Sequence, residues 1–408
     1  MALVREPVVD ANRLRTTMKD RGIDLILATG KRNVGYLTDH QTDHWSWEHA
    51  ILHMMEKEYD DGDYQVLAGF SLDDSRETFL VEYAHRQDAI RQSGVTADFY
   101  GYWRQGRNVT PDGPAICLEQ SYTRTAEEAA VLAIKERGLN RATIGVEMAR
   151  VSAATLSTLR ELLPHARFVD AFELLFDLRQ IKTPEEVRRL RRAYTVATEV
   201  YRDIFRELAT GMSPRDILRR ELDGIYRRDC SFSFAHVFFG SGATDIAFTP
   251  SADRPIEPGD VGLFDLGVVY RGYGTDFARM VQAPPANADL GKFFQVVRQA
   301  RRAVEAALVP EAKASDVFLA GARVLEEAGC CAAISTVGHG IGLGCHERPF
   351  LNPFSEDAIA VGQTLVIEIY CEIEGIGPIL LEDGGLMTEE GWQPFSDLPQ
   401  EIVEVSSS

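Results

Sequence analysis

Two acids, Asp265 and Asp276, sit in the segment FDLGVVYRGYGTDFARM, on apolar runs separated by Tyr270-Arg271-Gly272. Run, turn and run read as a β-hairpin. With Tyr270 and Arg271 as the loop, residue 269 faces 272 and Asp265 faces Asp276. Opposed residues share a face, with Cβ atoms about 5 Å apart. Two carboxylates that close repel unless a cation lies between them. A pair of metals about 3.5–4 Å apart fits such a gap. A second hairpin is expected in TLVIEIYCEIEGIGPILLEDGGLM, turning around Gly375–Gly377 and bringing Glu368 near Glu382. An acid inside an apolar strand is costly to bury uncompensated. The bland alternative for the first hairpin is two solvated acids, and for the second an edge strand with Glu368 facing water; the apolar neighbours of Glu368 argue against the latter.

Between the hairpins lies STVGHGIGLGCHERPFLNP. Its glycines allow sharp turns and close backbone approach. Imidazole suits Mn, Fe, Co and Zn, so His339 is a candidate nitrogen ligand. His346, seven residues on, is a candidate to hydrogen-bond a reacting carbonyl or carry a proton. Cys345 and Cys371 lie near these motifs, where buried inert thiols are expected. His236, in FSFAHVFFGSG, either faces the same site or is a satisfied core histidine. Arg271 and Arg279 are expected to be structural or surface residues.

These groups need a sheet to position them. From Ser231 onward, strand-like segments separated by Gly-rich turns dominate, with one long helical stretch expected from Leu290 to Gly329. That pattern predicts an α+β domain with a substantial antiparallel sheet. Ahead of it, Thr183-Pro184-Glu185-Glu186 and Ser213-Pro214 are helix starts. Further upstream, strands and helices alternate. Asp10–Gly22, TAEEAAVLAIKERG and SAATLSTLRELLP read as helices. Ile23–Ala28, QVLAGF, ETFLVEY, ATIGVE and RFVDA read as strands, which predicts an α/β N-terminal domain. The boundary falls near Leu178–Lys182, giving domains 1–177 and 178–408.

Composition narrows the class. The 408 residues are 45% hydrophobic and 26% charged, with a net charge of -19. So acidic a chain repels nucleic acid and anionic membranes. No apolar run of about 18 residues or signal-peptide pattern is visible. The six cysteines show no CxxC spacing. They read as reduced thiols, so a cytoplasmic location is expected. In TDHQTDHWSWEHAILH, His40 and His44, and His49 and His53, are spaced for one helix face. No acid is placed to complete a second metal site there.

Together these residues resemble the pita-bread-fold metallopeptidase family of Xaa-Pro aminopeptidases, prolidases, methionine aminopeptidases and the related creatinase. Asp265 and Asp276 match its paired aspartates, His339 its ligand histidine, and Glu368 and Glu382 its two glutamates. The contexts DLG…Y.GY.TD.AR, GHGIGL..HE.P and ED..L.TEEGW agree, and the likeness runs from about Leu178 to Val405. The resemblance implies a creatinase-type N-terminal domain and a pita-bread catalytic domain. It implies two divalent ions, manganese expected, with iron, cobalt or zinc as alternatives. Asp265 would chelate one, Asp276 and Glu382 would bridge both, and His339 and Glu368 would complete the other. A bridging hydroxide would then attack an amide-like carbon, with Glu368 handling the water proton and His346 steadying the oxyanion.

Three positions depart from the family pattern. Phe248 stands where the peptidases carry a histidine, 17 residues before Asp265. Leu380 replaces an arginine, and Ile369-Tyr370-Cys371-Glu372 replaces Pro-Gly-x-Tyr. The ligand set is whole, so the expected activity is hydrolysis of a C–N bond in a small molecule or dipeptide-like substrate. Xaa-Pro dipeptidase or aminopeptidase activity, a metal-dependent lyase and a non-catalytic binding protein are the alternatives. Creatinase-like dimers carry the N-terminal region to the partner's site. The resemblance thus implies a homodimer in which His44, Trp45 or Trp47 lines the substrate pocket beside Phe248, His236, Glu372 and Leu380.

Overall fold

The computed structural model describes residues 8–40, 65–73, 76–102, 123–240, 253–330, 336–373 and 376–407. Its internal contacts divide the chain into two compact units, Met1–Leu178 and Arg179–Ser408.

The first unit is built on a six-stranded sheet. Its strands are β1 (Leu25–Ala28), β2 (Leu67–Ser71), β3 (Thr78–Tyr83), β4 (Asp98–Tyr102), β5 (Thr143–Val146) and β6 (Arg167–Asp170). They lie in the order β4-β3-β2-β1-β5-β6. β1 pairs antiparallel with β2 and parallel with β5, so the sheet is mixed. All four residues of β1 are buried, as an unbroken apolar run requires. Helices start where the sequence offers caps. The Asp10 side chain accepts from Arg13 N at 3.0 Å, and Ser152 does the same for Thr155 N. Helix Ala126–Glu136 gives way at Gly138, which takes φ +71°.

The second unit opens on helix Pro184–Glu207, where Thr183 and Glu186 form a reciprocal capping box. Ser213 and Asp216 repeat that device for helix Pro214–Tyr226. A ten-stranded sheet follows. Its strands are β7 (Ser231–Gly240), β8 (Val261–Tyr270), β9 (Tyr273–Gly274), β10 (Ala278–Gln282), β11 (Gly338–Gly340), β12 (Glu347–Phe350), β13 (Thr364–Ile373), β14 (Gly377–Thr388), β15 (Gly391–Pro394) and β16 (Val403–Glu404). The main path is β12-β11-β13-β14-β10-β8-β7. All pairs are antiparallel except β10 with β16.

Two expectations need correction. The stretch Leu290–Gly329 is not one helix but two, Ala288–Ala307 and Ala314–Glu327. Pro310 lacks the N–H a continuous helix needs, and Glu311 takes φ +67°. The first hairpin is also shifted. Its loop is Arg271-Gly272, both at positive φ (48° and 83°), and Tyr270 faces Tyr273. A two-residue turn of this kind needs positive φ at both centres, which glycine supplies at the second. Asp265 therefore opposes Ala278, not Asp276. Since the slip is two residues, Asp276 keeps the face of Asp265 and becomes its diagonal neighbour.

Candidate metal centre

One row of residues crosses the sheet. Glu368 on β13 opposes Glu382 on β14, Glu382 opposes Ala278 on β10, and Ala278 opposes Asp265 on β8. Asp265 in turn opposes His236 on β7. Directly opposed residues share a face, so three acids and a histidine project to one side around the small Ala278. Asp276 lies one step along on that face. His339, on β11 opposite Val366, reaches in from the flank.

The side chains converge. His339 Nε2 lies 3.4 Å from Asp276 Oδ2, 3.9 Å from Glu368 Oε2 and 4.0 Å from Glu382 Oε1. The ligand-capable atoms of Asp265, Asp276 and Glu382 all lie within 4.8 Å of one another. His346 Nε2 is 3.3 Å from Asp276 Oδ2, and its ring stands edge-on to His339 with centroids 4.2 Å apart. His346 is exposed, whereas Asp276, His339 and Glu382 are buried.

The chemistry of this set fits divalent ions. His339 Nδ1 lies 2.9 Å from the Gly340 carbonyl. A carbonyl only accepts, so Nδ1 carries the hydrogen and a neutral ring presents the Nε2 lone pair to the cluster. That Nε2 is buried without a hydrogen-bond partner, and so is Asp265 Oδ1. Buried polar atoms left in this state are rare. Burial first, and neighbouring carboxylates second, push Asp265 and Glu382 well above the usual carboxylate range. Burial also raises Glu368. Asp276 goes the other way. Burial opposes its charge, but the adjacent His339 and His346 rings, at 3.4 and 3.3 Å, hold it below the ordinary value. Three acids that resist ionisation, one stabilised anion and an imidazole nitrogen turned toward them are a receptacle for dications.

The remaining candidates are spread around this cluster. His236 is half-buried, and burial lowers its basicity while the Asp276 charge opposes that effect. Tyr370 and Leu380 form the next pair on the same face beyond Glu368 and Glu382. Leu380 is buried in the apolar cluster with Ile369 and Ile379, whereas Glu372, opposite Pro378, is exposed. Phe248, His44, Trp45 and Trp47 lie outside the described residues. His40 is buried, with Nε2 3.3 Å from Glu82 Oε2.

Several supporting residues carry no chemical motif. Cys345 Sγ donates to Asp276 Oδ2 at 3.0 Å. Arg279 is buried rather than at the surface, and bridges the Glu382 carbonyl and Asp383. Glu347, beside His346, is buried against Arg179 and lies 3.2 Å from Lys182 Nζ. It also accepts from Gly344 N at 2.8 Å, which pins the histidine loop. Arg279 and Glu347 lie within the quoted contexts TD.AR and HE.P, and Cys345 beside the histidine loop, but their contacts are visible only in the structure.

Comparison with known proteins identifies the family. Residues 188–389 match Metallopeptidase family M24, and residues 11–181 match the Creatinase/Prolidase N-terminal domain. A Xaa-Pro dipeptidase from Pyrococcus furiosus is 25% identical over 73% of this chain and 89% of its own length. The putative dipeptidase YkvY from Bacillus subtilis is 25% identical over 96% of this chain and 98% of its own. The structure of X-Pro aminopeptidase from Thermotoga maritima superposes with a TM-score of 0.77 at 16% identity, covering 97% of this chain and 99% of that one.

Proposed function

We propose, for a chain that belongs to metallopeptidase family M24 and is a metal-dependent hydrolase, that it cleaves a C–N bond in a small, dipeptide-like substrate. The observation that carries this reading is the buried, partnerless Nε2 of His339 facing three carboxylates on one sheet face. In our assignment Asp265, Asp276, His339, Glu368 and Glu382 hold two divalent ions, manganese the first choice. Bound there, such ions supply an acidified water and a Lewis acid.

The chain's own groups do the rest. Glu368 is partly open to solvent, and its Oε2 is placed to take the proton of an attacking water. His346 Nε2 is exposed beside Asp276 and is placed to donate to the oxygen of the reacting group. His236 closes the row next to Asp265 and faces the substrate side. Leu380 and Glu372 take up the flank beyond Glu382; Phe248, His44, Trp45 and Trp47 stay candidate substrate contacts outside the described residues.

The relatives named Xaa-Pro dipeptidase support a dipeptide, and Leu380, buried among apolar neighbours, supports a substrate with an uncharged group on that side. We read the protein as a homodimer of a reducing, cytoplasmic compartment. The free thiols of Cys230, Cys330, Cys345 and Cys371 support the compartment. Among the described residues no helix is long and apolar enough to cross a membrane.

The test is elemental analysis after manganese loading, followed by hydrolysis of a panel of Xaa-Pro and other dipeptides. Two ions per chain with turnover of a dipeptide are expected. Two ions with no dipeptide turnover would move the substrate to non-peptide amides. No bound ion would overturn the assignment. Mass measurement in solution tests the dimer.

A further inference from the structure

Asp276 does not get its backbone position from the sheet. On one side of it, Thr275 N donates to the Val268 carbonyl, and the Phe277 carbonyl accepts from Leu266 N. In an antiparallel ladder such bonding alternates along the strand, so the Asp276 N–H and C=O point the other way, toward β14. The β10–β14 ladder holds one pair, Ala278 with Glu382. Its next position would pair Asp276 with Gly384.

That bond is not made. The phenol of Tyr194, from helix Pro184–Glu207, fills the gap. Its hydroxyl donates to the Asp276 carbonyl at 3.0 Å and accepts from Asp276 N at 3.2 Å. A Cβ on residue 384 would lie 2.0 Å from that hydroxyl, so only glycine leaves room for it. The Gly384 carbonyl is taken instead by Phe395 N at 2.9 Å. Tyr194 is fully buried, with its ring packed on Phe277 and Phe395 at centroid distances of 5.9 and 5.3 Å.

We infer that Tyr194, admitted by Gly384, is a positioning residue for the metal ligand Asp276: one side-chain hydroxyl replaces both ladder bonds and sets where the carboxylate stands. This rests on the metal reading above. It adds that the backbone of Asp276 is held by a helix where the β10–β14 ladder stops. Removing the hydroxyl leaves a buried N–H and C=O unsatisfied, and the segment 275–277 relaxes toward β14.

Tyr194→Phe keeps the ring and deletes the oxygen. Binding of Mn2+ and Co2+ to the metal-free protein is measured by calorimetry, with the visible spectrum of the cobalt form as a second readout. At least one ion should bind about 10-fold or more weaker, the range for lost outer hydrogen bonds, with an altered cobalt spectrum. Gly384→Ala, which drives a methyl into the hydroxyl, should give the same phenotype. Phe395→Leu, which loosens the ring but leaves the oxygen, should lower Tm with both affinities unchanged. Wild-type affinities and spectrum in Tyr194→Phe would reduce Tyr194 to packing and sink the inference alone. A wild-type chain that takes up no ion would sink the metal reading and this inference together.

Discussion

Glu382 and Asp383 are adjacent on β14, both buried, and live in opposite electrostatic worlds. Asp383 points to one face and meets two cations, with Arg279 Nη2 at 2.7 Å and Arg301 Nη1 at 3.1 Å. Glu382 points to the other and meets Asp265, Asp276 and Glu368, with a single imidazole 4.0 Å away. Glu347 repeats the first pattern with Arg179 and Lys182. At Asp383 and Glu347 the chain brings its own cations. At the ligand row it does not, although arginines are at hand one residue away. In the proposed assignment divalent ions would supply that positive charge, and the difference between the two faces is the physical argument for a metal centre.

Substitutions can break that comparison. Asp383→Ala strands two buried guanidinium groups, so urea unfolding should show a loss of about 3–5 kcal/mol. Glu382→Gln should do the reverse in metal-free protein, raising Tm by calorimetry because it removes a repelled charge. It should also abolish the protection that manganese gives, which for wild type is about 2.7 kcal/mol at 100 times Kd. A metal-free Glu382→Gln protein that melts as low as Asp383→Ala would end the distinction.

Glu221 sharpens it. This acid is buried on helix Pro214–Tyr226, both oxygens lack partners, and burial raises it well above the ordinary range. A single acid can escape by keeping its proton. With the folded value raised above the unfolded one, its contribution is intact below about pH 4.3 and is lost as pH rises through the folded value. Urea midpoints from pH 5 to 9 should therefore fall less steeply in Glu221→Gln than in wild type. An unchanged slope would refute the buried proton. The smallest effect is expected at Cys345. Cys345→Ala removes one hydrogen bond to Asp276 and should cost about 0.5–1.5 kcal/mol, read as a modest drop in the Tm of the manganese-loaded protein.

Much of this was legible in the chain. The apolar run LVIEIY and the glycines of the following turn brought Glu368 and Glu382 together, and Thr183 and Ser213 announced their helices through side-chain chemistry that acts locally. The hairpin of Asp265 was harder, because its register depends on which two residues take positive φ. Gly272 sits equally well inside either loop until the strands pair. The break at Pro310 is masked in the sequence because apolar spacing continues across it. Tyr194 left no trace at all. On its helix it is one more apolar-stripe position, and its hydroxyl acquires meaning only when β14 fails to pair with Asp276. The contrast between Glu382 and Asp383 is likewise invisible in the letters ED, since only the pleat sends them apart.

That alternation also constrains how the gene can change length. Deleting one codon inside β14 would rotate the strand by half a period. Asp383, with its arginines, would swing into the cleft, and a naked glutamate would swing into the packed interior. Insertions and deletions are therefore confined to the turns, and a length-variant library of this segment should retain members altered near 374–376 while losing those altered between Pro378 and Asp383.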